Sequence, residues 1–258
     1  MTRASFEPAP NLLGARQVVF VCAGLFATAL MIFWIGRATD LDLVLADALY
    51  DAGAGTFPWR HAWLTETFNH TILKSILTLA AAWFIAAAVW DAFRPRAGRE
   101  ALDRLRLRVV GASALLVPLV ISTLKQASVA HCPWDLARYG GTEPYLRLFD
   151  ALPLGVPAGH CLPAGHASSA LWLVSLCVYW LPGRPQGARQ VALLALLLGG
   201  LVGWMQQLRG AHFLTHTLWS IWLACAVVLI VIVSLQRWAA PRPASVPDYL
   251  AETVEDAS

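Results

Sequence analysis

Long apolar stretches separated by short charged segments dominate this chain. A bilayer core about 30 Å thick requires roughly 20 helical residues at about 1.5 Å each. Six stretches approach that length, at residues 18–36, 72–93, 109–125, 165–181, 191–207 and 217–235. The pattern predicts an all-α fold, an integral-membrane bundle of six transmembrane helices.

Composition supports a membrane environment. Of the 258 residues, 58% are hydrophobic and only 14% are charged, and the mean hydropathy is +0.58. Soluble domains carry about 25% charged residues. The net charge of +3 is modest and is concentrated in a few loops, so it indicates contact with lipid headgroups and no nucleic-acid partner.

Arginines mark one side of the predicted bundle. They lie at both chain ends and in the loops between the second and third and between the fourth and fifth predicted helices: Arg3, Arg16, Arg94, Arg96, Arg99, Arg104, Arg106, Arg108, Arg184, Arg189, Arg237 and Arg242. Because positive residues are retained in the cytoplasm, both termini are predicted there. We therefore expect a multi-pass protein of a bacterial inner membrane, with the opposite face in the periplasm.

Three segments are predicted along the chain. Residues 1–17 form a cytoplasmic N-terminal segment, 18–238 the six-helix membrane domain, and 239–258 a flexible cytoplasmic tail. The first apolar run starts late and is long, which indicates an anchor and not a cleavable signal.

The first outer segment has two amphipathic parts. Residues 40–51 alternate acids and apolar residues at helical spacing, which predicts an interfacial helix on the periplasmic side. The aromatic rings in residues 57–70 favour the headgroup boundary. His61 and His70 lie in that stretch and are assigned no catalytic role.

Candidate chemistry lies at three predicted outer helix ends. Pro-Ala-Gly-His occurs twice, ending at His160 and at His166, but only the second copy leads into an apolar helix. Lys125 ends the third predicted helix, and Arg209 and His212 lie between the fifth and sixth. Lysine and arginine bind anionic oxygens, while one imidazole can attack phosphorus and another can protonate the departing oxygen. The pattern predicts a phosphate site that needs no metal and no cofactor.

Three motifs occur there in a fixed order. Lys125 is followed after six residues by Cys132-Pro133, then comes Pro-Ala-Gly-His at 163–166, and then His212 with Gln206 and His216 at its outer positions. These resemble Lys-x6-Arg-Pro, Pro-Ser-Gly-His and Arg-x5-His-x3-Asp of the type-2 phosphatidic acid phosphatases. That family consists of membrane lipid phosphatases related to certain soluble acid phosphatases and haloperoxidases.

The resemblance implies roles for individual residues. His212 would be the nucleophile that forms a phosphohistidine, and His166 the general acid that later activates water. Lys125 would hold phosphate oxygens. To this residue we add three further candidates for phosphate binding, Gly165, Gln206 and Arg209. His216 replaces the family carboxylate and is predicted either to orient His212 or to pack at the helix start.

The resemblance also implies a substrate class, a membrane lipid phosphate or diphosphate. Polyprenyl diphosphate, phosphatidic acid, phosphatidylglycerol phosphate and the phosphates of lipid A are all candidates. Two alternatives stay open. One is phosphotransfer between lipids, and the other is a catalytically impaired protein that binds or moves an anionic lipid.

At three positions the sequence departs from the family pattern, so other residues would have to supply the missing side-chain groups. Cys132 and Gln206 stand where the family has arginines, and His216 stands where it has an aspartate. Arg209 lies one helical turn after Gln206 and is predicted to reach the same pocket. We consider Arg138 or Arg147 as a replacement for the arginine at 132, and Asp135 as a replacement carboxylate.

The cysteines have two interpretations. Cys132 and Cys161 fall in one outer loop, in a compartment predicted to be oxidising, and are expected to form a disulfide. Alternatively, His212 and His216, four apart on one helix face, would bind zinc together with Cys132, Cys161 or His131. The lack of an accompanying acidic ligand or base disfavours zinc.

Small residues in the fifth predicted helix indicate close packing. Gly199 and Gly203 are four residues apart, a spacing that lets helices approach closely. We expect this contact within the bundle, and a homodimer contact is the alternative, so both monomer and homodimer are considered.

Overall fold

The computed structural model describes residues 11–95, 98 and 100–239, which fold into seven helices and their connecting loops. In chain order we label them α1 (Ala15–Ala38), α2 (Leu41–Leu49), α3 (Leu64–Phe93), α4 (Ala101–Gln126), α5 (Ser168–Trp180), α6 (Pro185–Leu208) and α7 (Leu214–Ala239). No sheet occurs in the described residues, so the all-α prediction is confirmed. The predictions made for Arg3, Arg96, Arg99, Arg242 and the segments 1–10 and 240–258 lie outside the described residues.

Five of the helices, and not six, are long and apolar enough to cross a bilayer: α1, α3, α4, α6 and α7. They define a multi-pass membrane protein. The predicted fourth span, 165–181, forms a helix that falls short of that length. Its helix α5 has four α-helical residues followed by nine in 3₁₀ conformation, which together reach about 24 Å.

Helix α5 is short because it is enclosed by other helices and does not have to match the lipid. Leu171 and Val178 are completely buried, and Trp172 is 1% exposed. They belong to the main hydrophobic core, with side chains from α4 and α7. The apolar sequence of α5 therefore corresponds to a helix buried among other helices. Hydropathy alone does not distinguish such a helix from one that faces lipid.

The two ends of the bundle differ in their chemistry. At one end Arg106 of α4 donates hydrogen bonds to the carbonyl oxygens of Val178 and Leu181, at 3.2 and 2.6 Å. Both carbonyls lie at the end of α5, where backbone oxygens lack the donors of a following helical turn, although the oxygen of Val178 also accepts the backbone N–H of Leu181 at 3.1 Å. Arg106 thus closes the end of α5 that lies away from His166.

At the opposite end, α2 holds the start of α7. The helix predicted within residues 40–51 forms as α2, and its Asp42 is buried. A carboxylate oxygen of Asp42 accepts the backbone N–H of Thr215 at 2.9 Å, and the other pairs with the Thr215 hydroxyl. An anion at a helix N-terminus is stabilising, so α2 fixes the first turn of α7, where His216 lies.

The glycines of α6 make close contacts inside the bundle. A Cβ atom on Gly199 would lie 2.3 Å from Cδ2 of Leu171, and one on Gly203 would lie 2.4 Å from Cγ2 of Thr217. Both distances are too short for real atoms. The small residues therefore face α5 and α7 of the same chain, as expected.

Gly203→Ala is expected to destabilise the protein by about 1–3 kcal/mol, because the added methyl group must displace Thr217 in a packed interior. Thermal unfolding of the purified protein in detergent measures this change. Gly200→Ala is the matched control, since a Cβ there meets nothing within 4 Å and alanine favours the helix. Equal melting temperatures for the two variants would contradict the packing described.

Candidate active site

Four segments of the chain carry the residues predicted to act on phosphate. Lys125 lies in the last turn of α4, and His166 in the turn before α5. Arg209 and His212 lie in the turn between α6 and α7, and His216 in the first turn of α7. All are at the end of the bundle away from the Arg106 cap.

Lys125 and the second Pro-Ala-Gly-His segment are in contact. A Cβ atom on Gly165 would lie 3.4 Å from Cδ and 3.9 Å from Nζ of Lys125. The absence of a side chain at Gly165 therefore leaves room for the lysine ammonium beside His166. The charge of Lys125 also acts on His212.

His212 is buried, with 6% of its surface exposed. Burial lowers its pKa well below the usual range, and the nearby His216, Lys125 and His166 act in the same direction. A neutral imidazole keeps a nitrogen lone pair, which nucleophilic attack requires. This environment therefore favours the neutral form of His212 at neutral pH.

His216, in the first turn of α7, packs its ring against the ring of His212. The two rings meet edge to face with their centres 5.7 Å apart. Nδ1 of His216 is buried and has no hydrogen-bond partner among the described residues. His212 also precedes α7, which begins at Leu214, so the two histidines do not share a helix face.

Cys132 and Cys161 form a disulfide, with their Cα atoms 5.4 Å apart. Their sulfurs and a ring nitrogen of His212 lie within 4.8 Å of one another. Zinc binds the thiolate form of cysteine. While the disulfide is intact neither sulfur is a thiolate, so this geometry favours the disulfide over the zinc interpretation.

His166 has a neighbour to which the sequence assigned no role. The ring of His70 stacks on the ring of His166, with centres 4.4 Å apart and planes 6° apart. Nε2 of His166 lies 3.3 Å from the backbone oxygen of Asn69, so this nitrogen carries hydrogen. Burial, followed by the charge of His70, lowers the pKa of His166 to about 4.

His70 reaches the site because α3 begins earlier than predicted. The span expected from residue 72 starts at Leu64, and its first ten residues are π-helical. Glu66, His70 and Lys74 are spaced four apart, a spacing that indicates one helix face. This spacing is the feature of the sequence from which a polar face of α3 directed at the site could have been predicted.

Arg209 joins Gln206 as expected. It donates hydrogen bonds to Oε1 of Gln206 at 3.2 Å and to the backbone oxygen of Arg60 at 3.0 Å. Glu66 of α3 lies 3.5 Å away as an ion-pair partner. Arg209 is 7% exposed, and its guanidinium lies over the ring of Trp134.

The other substitutes considered from the sequence are engaged elsewhere. Arg138 donates two hydrogen bonds to the carboxylate of Asp47, at 2.7 and 2.6 Å, and Arg147 pairs with Asp40. These ion pairs hold the outer loop on α2. Nδ1 of His212 faces Sγ of Cys161, so Asp135 does not take the place of the missing carboxylate.

The fold and these residues define a multi-pass membrane protein with a histidine- and lysine-lined site at one end of its helices. A family model described as the PAP2 superfamily matches residues 106–240. The chain therefore belongs to the PAP2 superfamily, whose members are phosphatases. Comparisons with curated proteins and with solved structures give no match. The matched region contains Lys125, His166 and His212, whereas His70 and the rest of α3 precede it.

Proposed function

We propose that this protein is a metal-independent lipid phosphatase that acts through a phosphohistidine on His212. The observation that carries the proposal is the convergence of Lys125, His166 and His212 at one end of the membrane helices. Gly165 brings the first two together, and the charges of both act on the third. Family membership supports the same chemistry.

The reaction has two steps in this proposal. A ring nitrogen of neutral His212 attacks phosphorus, the bond from phosphorus to the leaving oxygen breaks, and protonated His166 gives that oxygen its proton. Neutral His166 then takes a proton from water, which attacks the phosphohistidine and releases phosphate and free His212. Lys125 and Arg209 hold the phosphate oxygens by charge-assisted hydrogen bonds.

The position of the site favours a lipid substrate. It lies at the end of membrane-spanning helices, where a headgroup phosphate can enter while its acyl or prenyl chains stay in the bilayer. The arginines at the other end, which lie in loops and in the first turns of α4 and α6, favour a cytoplasmic position for that end. We therefore place the site at the periplasmic face of a bacterial inner membrane.

Phosphate release from a panel of purified lipids tests this proposal. The panel contains phosphatidic acid, phosphatidylglycerol phosphate, a polyprenyl diphosphate and lipid A, each in detergent with EDTA. Release that survives EDTA and disappears in His212→Ala is the expected result. Release that requires added metal would overturn the metal-independent mechanism. Phosphate found on a second lipid, and not in water, would identify a phosphotransferase.

The pH dependence of the reaction follows from the lowered pKa of His166. At neutral pH this imidazole is almost entirely neutral in the free enzyme, since its pKa is about 4. The general-acid role needs the protonated form, so kcat/KM is expected to rise as pH falls from about 8 to about 5. His212 stays neutral over that range because burial lowers its pKa too.

A bound phosphate should raise the pKa of His166, because an anion stabilises the imidazolium. The fall of kcat at high pH is therefore expected at a higher pH than the fall of kcat/KM. Initial rates across this range, with the titration of the substrate phosphate measured separately, check both trends. A kcat/KM that rises with pH would contradict the assignment of His166 as the acid.

A further inference from the structure

His212, the proposed nucleophile, has an unusual neighbour at its ring nitrogen Nδ1. Sγ of Cys161 lies 3.4 Å from Nδ1 of His212 and 3.2 Å from the carbonyl oxygen of Ala211. Cys161 is completely buried. Because its sulfur is bonded to Cys132, it carries no hydrogen and acts toward Nδ1 only as an acceptor.

Other groups near His212 do not provide this contact. His216 meets it edge to face and leaves its own Nδ1 without a partner among the described residues. A backbone hydrogen bond with Cys161 also acts on His212, so sulfur and backbone of one residue face the same ring. The disulfide holds both in place.

Since the proposed function requires a nucleophilic His212, we propose that Cys161, held by the Cys132–Cys161 disulfide, is its positioning residue. The Nδ1–H of His212 donates to the disulfide sulfur, which leaves the lone pair on Nε2 for attack on phosphorus. Sulfur thus fixes the tautomer and orientation of the nucleophile without placing a negative charge beside it.

The lack of charge has a chemical consequence. A carboxylate at Nδ1 would stabilise the imidazolium and raise the pKa of the histidine. A neutral sulfur adds no such charge, and burial lowers the pKa of His212 well below its usual range, so the ring stays neutral and nucleophilic at neutral pH. This agrees with an enzyme whose acid, His166, is protonated only at low pH.

Three variants without the disulfide separate the sulfur contact from the crosslink. Cys132→Ala leaves a thiol at 161, Cys132→Ala with Cys161→Ser leaves a hydroxyl, and Cys132→Ala with Cys161→Ala leaves no side-chain acceptor, while all three keep the backbone of residue 161. We expect the last to have at least about fivefold lower kcat than the first, at unchanged KM. The serine variant is expected to recover most of that loss. Equal kcat for all three variants, at equal melting temperatures, would show that the disulfide is only a structural crosslink and would overturn the proposal.

A spectroscopic measurement tests the contact without relying on turnover. In ¹⁵N-histidine-labelled protein, His212 is identified by its loss in His212→Ala, and its nitrogen shifts report the tautomer. The Nδ1–H form is expected in wild type, and a mixture in the variant without a side-chain acceptor at 161. An Nε2–H form in wild type would overturn the inference. If wild type releases no phosphate from any lipid, the proposed function fails while the tautomer still decides the sulfur contact.

Discussion

Replacing His212 with alanine is expected to lower kcat for phosphate release by at least about 10³-fold. Alanine has no nitrogen lone pair, so phosphorus has no protein nucleophile and only direct attack by water remains. The imidazole of His212 is buried and neutral, and the charges of Lys125 and His166 act on it. Steady-state phosphate release, measured at matched protein concentration, checks this loss.

His160 provides the matched control. It ends the first copy of Pro-Ala-Gly-His, is exposed, and has a backbone φ of 49°. Asparagine tolerates that conformation, so His160→Asn removes an imidazole without straining the loop. This variant is expected to retain near wild-type kcat. Comparable losses in both variants, or a His212→Ala variant that is folded and fully active, would contradict the assignment of His212 as the nucleophile.

Replacing Lys125 with methionine is expected to lower kcat/KM by about 10²–10³-fold. Methionine fills similar space beside Gly165 but removes the ammonium that binds phosphate oxygens, and a charge-assisted contact in a half-buried site is hard to replace. The loss should appear with every substrate of the panel, because each presents a phosphate to the same group.

The chain contains only one other lysine, Lys74, which makes Lys74→Met the control. Lys74 is exposed on α3. Its charge acts on Lys125 and His166 but is screened by solvent, so a change of less than about fivefold is expected. Equal effects of the two substitutions would show that the site responds to total positive charge and not to a specific ammonium contact.

Elements that depend on local pattern were predictable from the sequence. Apolar length identified the five long helices, alternation of acids and apolar residues identified α2, and small-residue spacing identified the contacts of Gly199 and Gly203. The order and spacing of the three motifs predicted that Lys125, His166 and His212 share one site. Each of these signals is carried by neighbouring residues or by a fixed spacing.

Features that depend on tertiary contacts were not predictable. Hydropathy alone does not show that α5 is shorter than the other helices and packed between them. The stacking of His70 on His166 joins two residues that are 96 positions apart in the sequence. Arg138 was considered for phosphate binding because it lies in the same outer loop as Cys132, whereas its partner Asp47 lies on α2, 91 positions away.

The most direct test of the account is to trap the phosphohistidine. Wild-type protein is mixed with ³²P-labelled lipid phosphate at low temperature and quenched in alkali, where phosphohistidine survives, and the labelled peptide is sequenced. We predict stoichiometric label on His212 that disappears in His212→Ala and accumulates when His166→Ala slows attack by water. Phosphate release without any labelled histidine, or label on another residue, would contradict the mechanism.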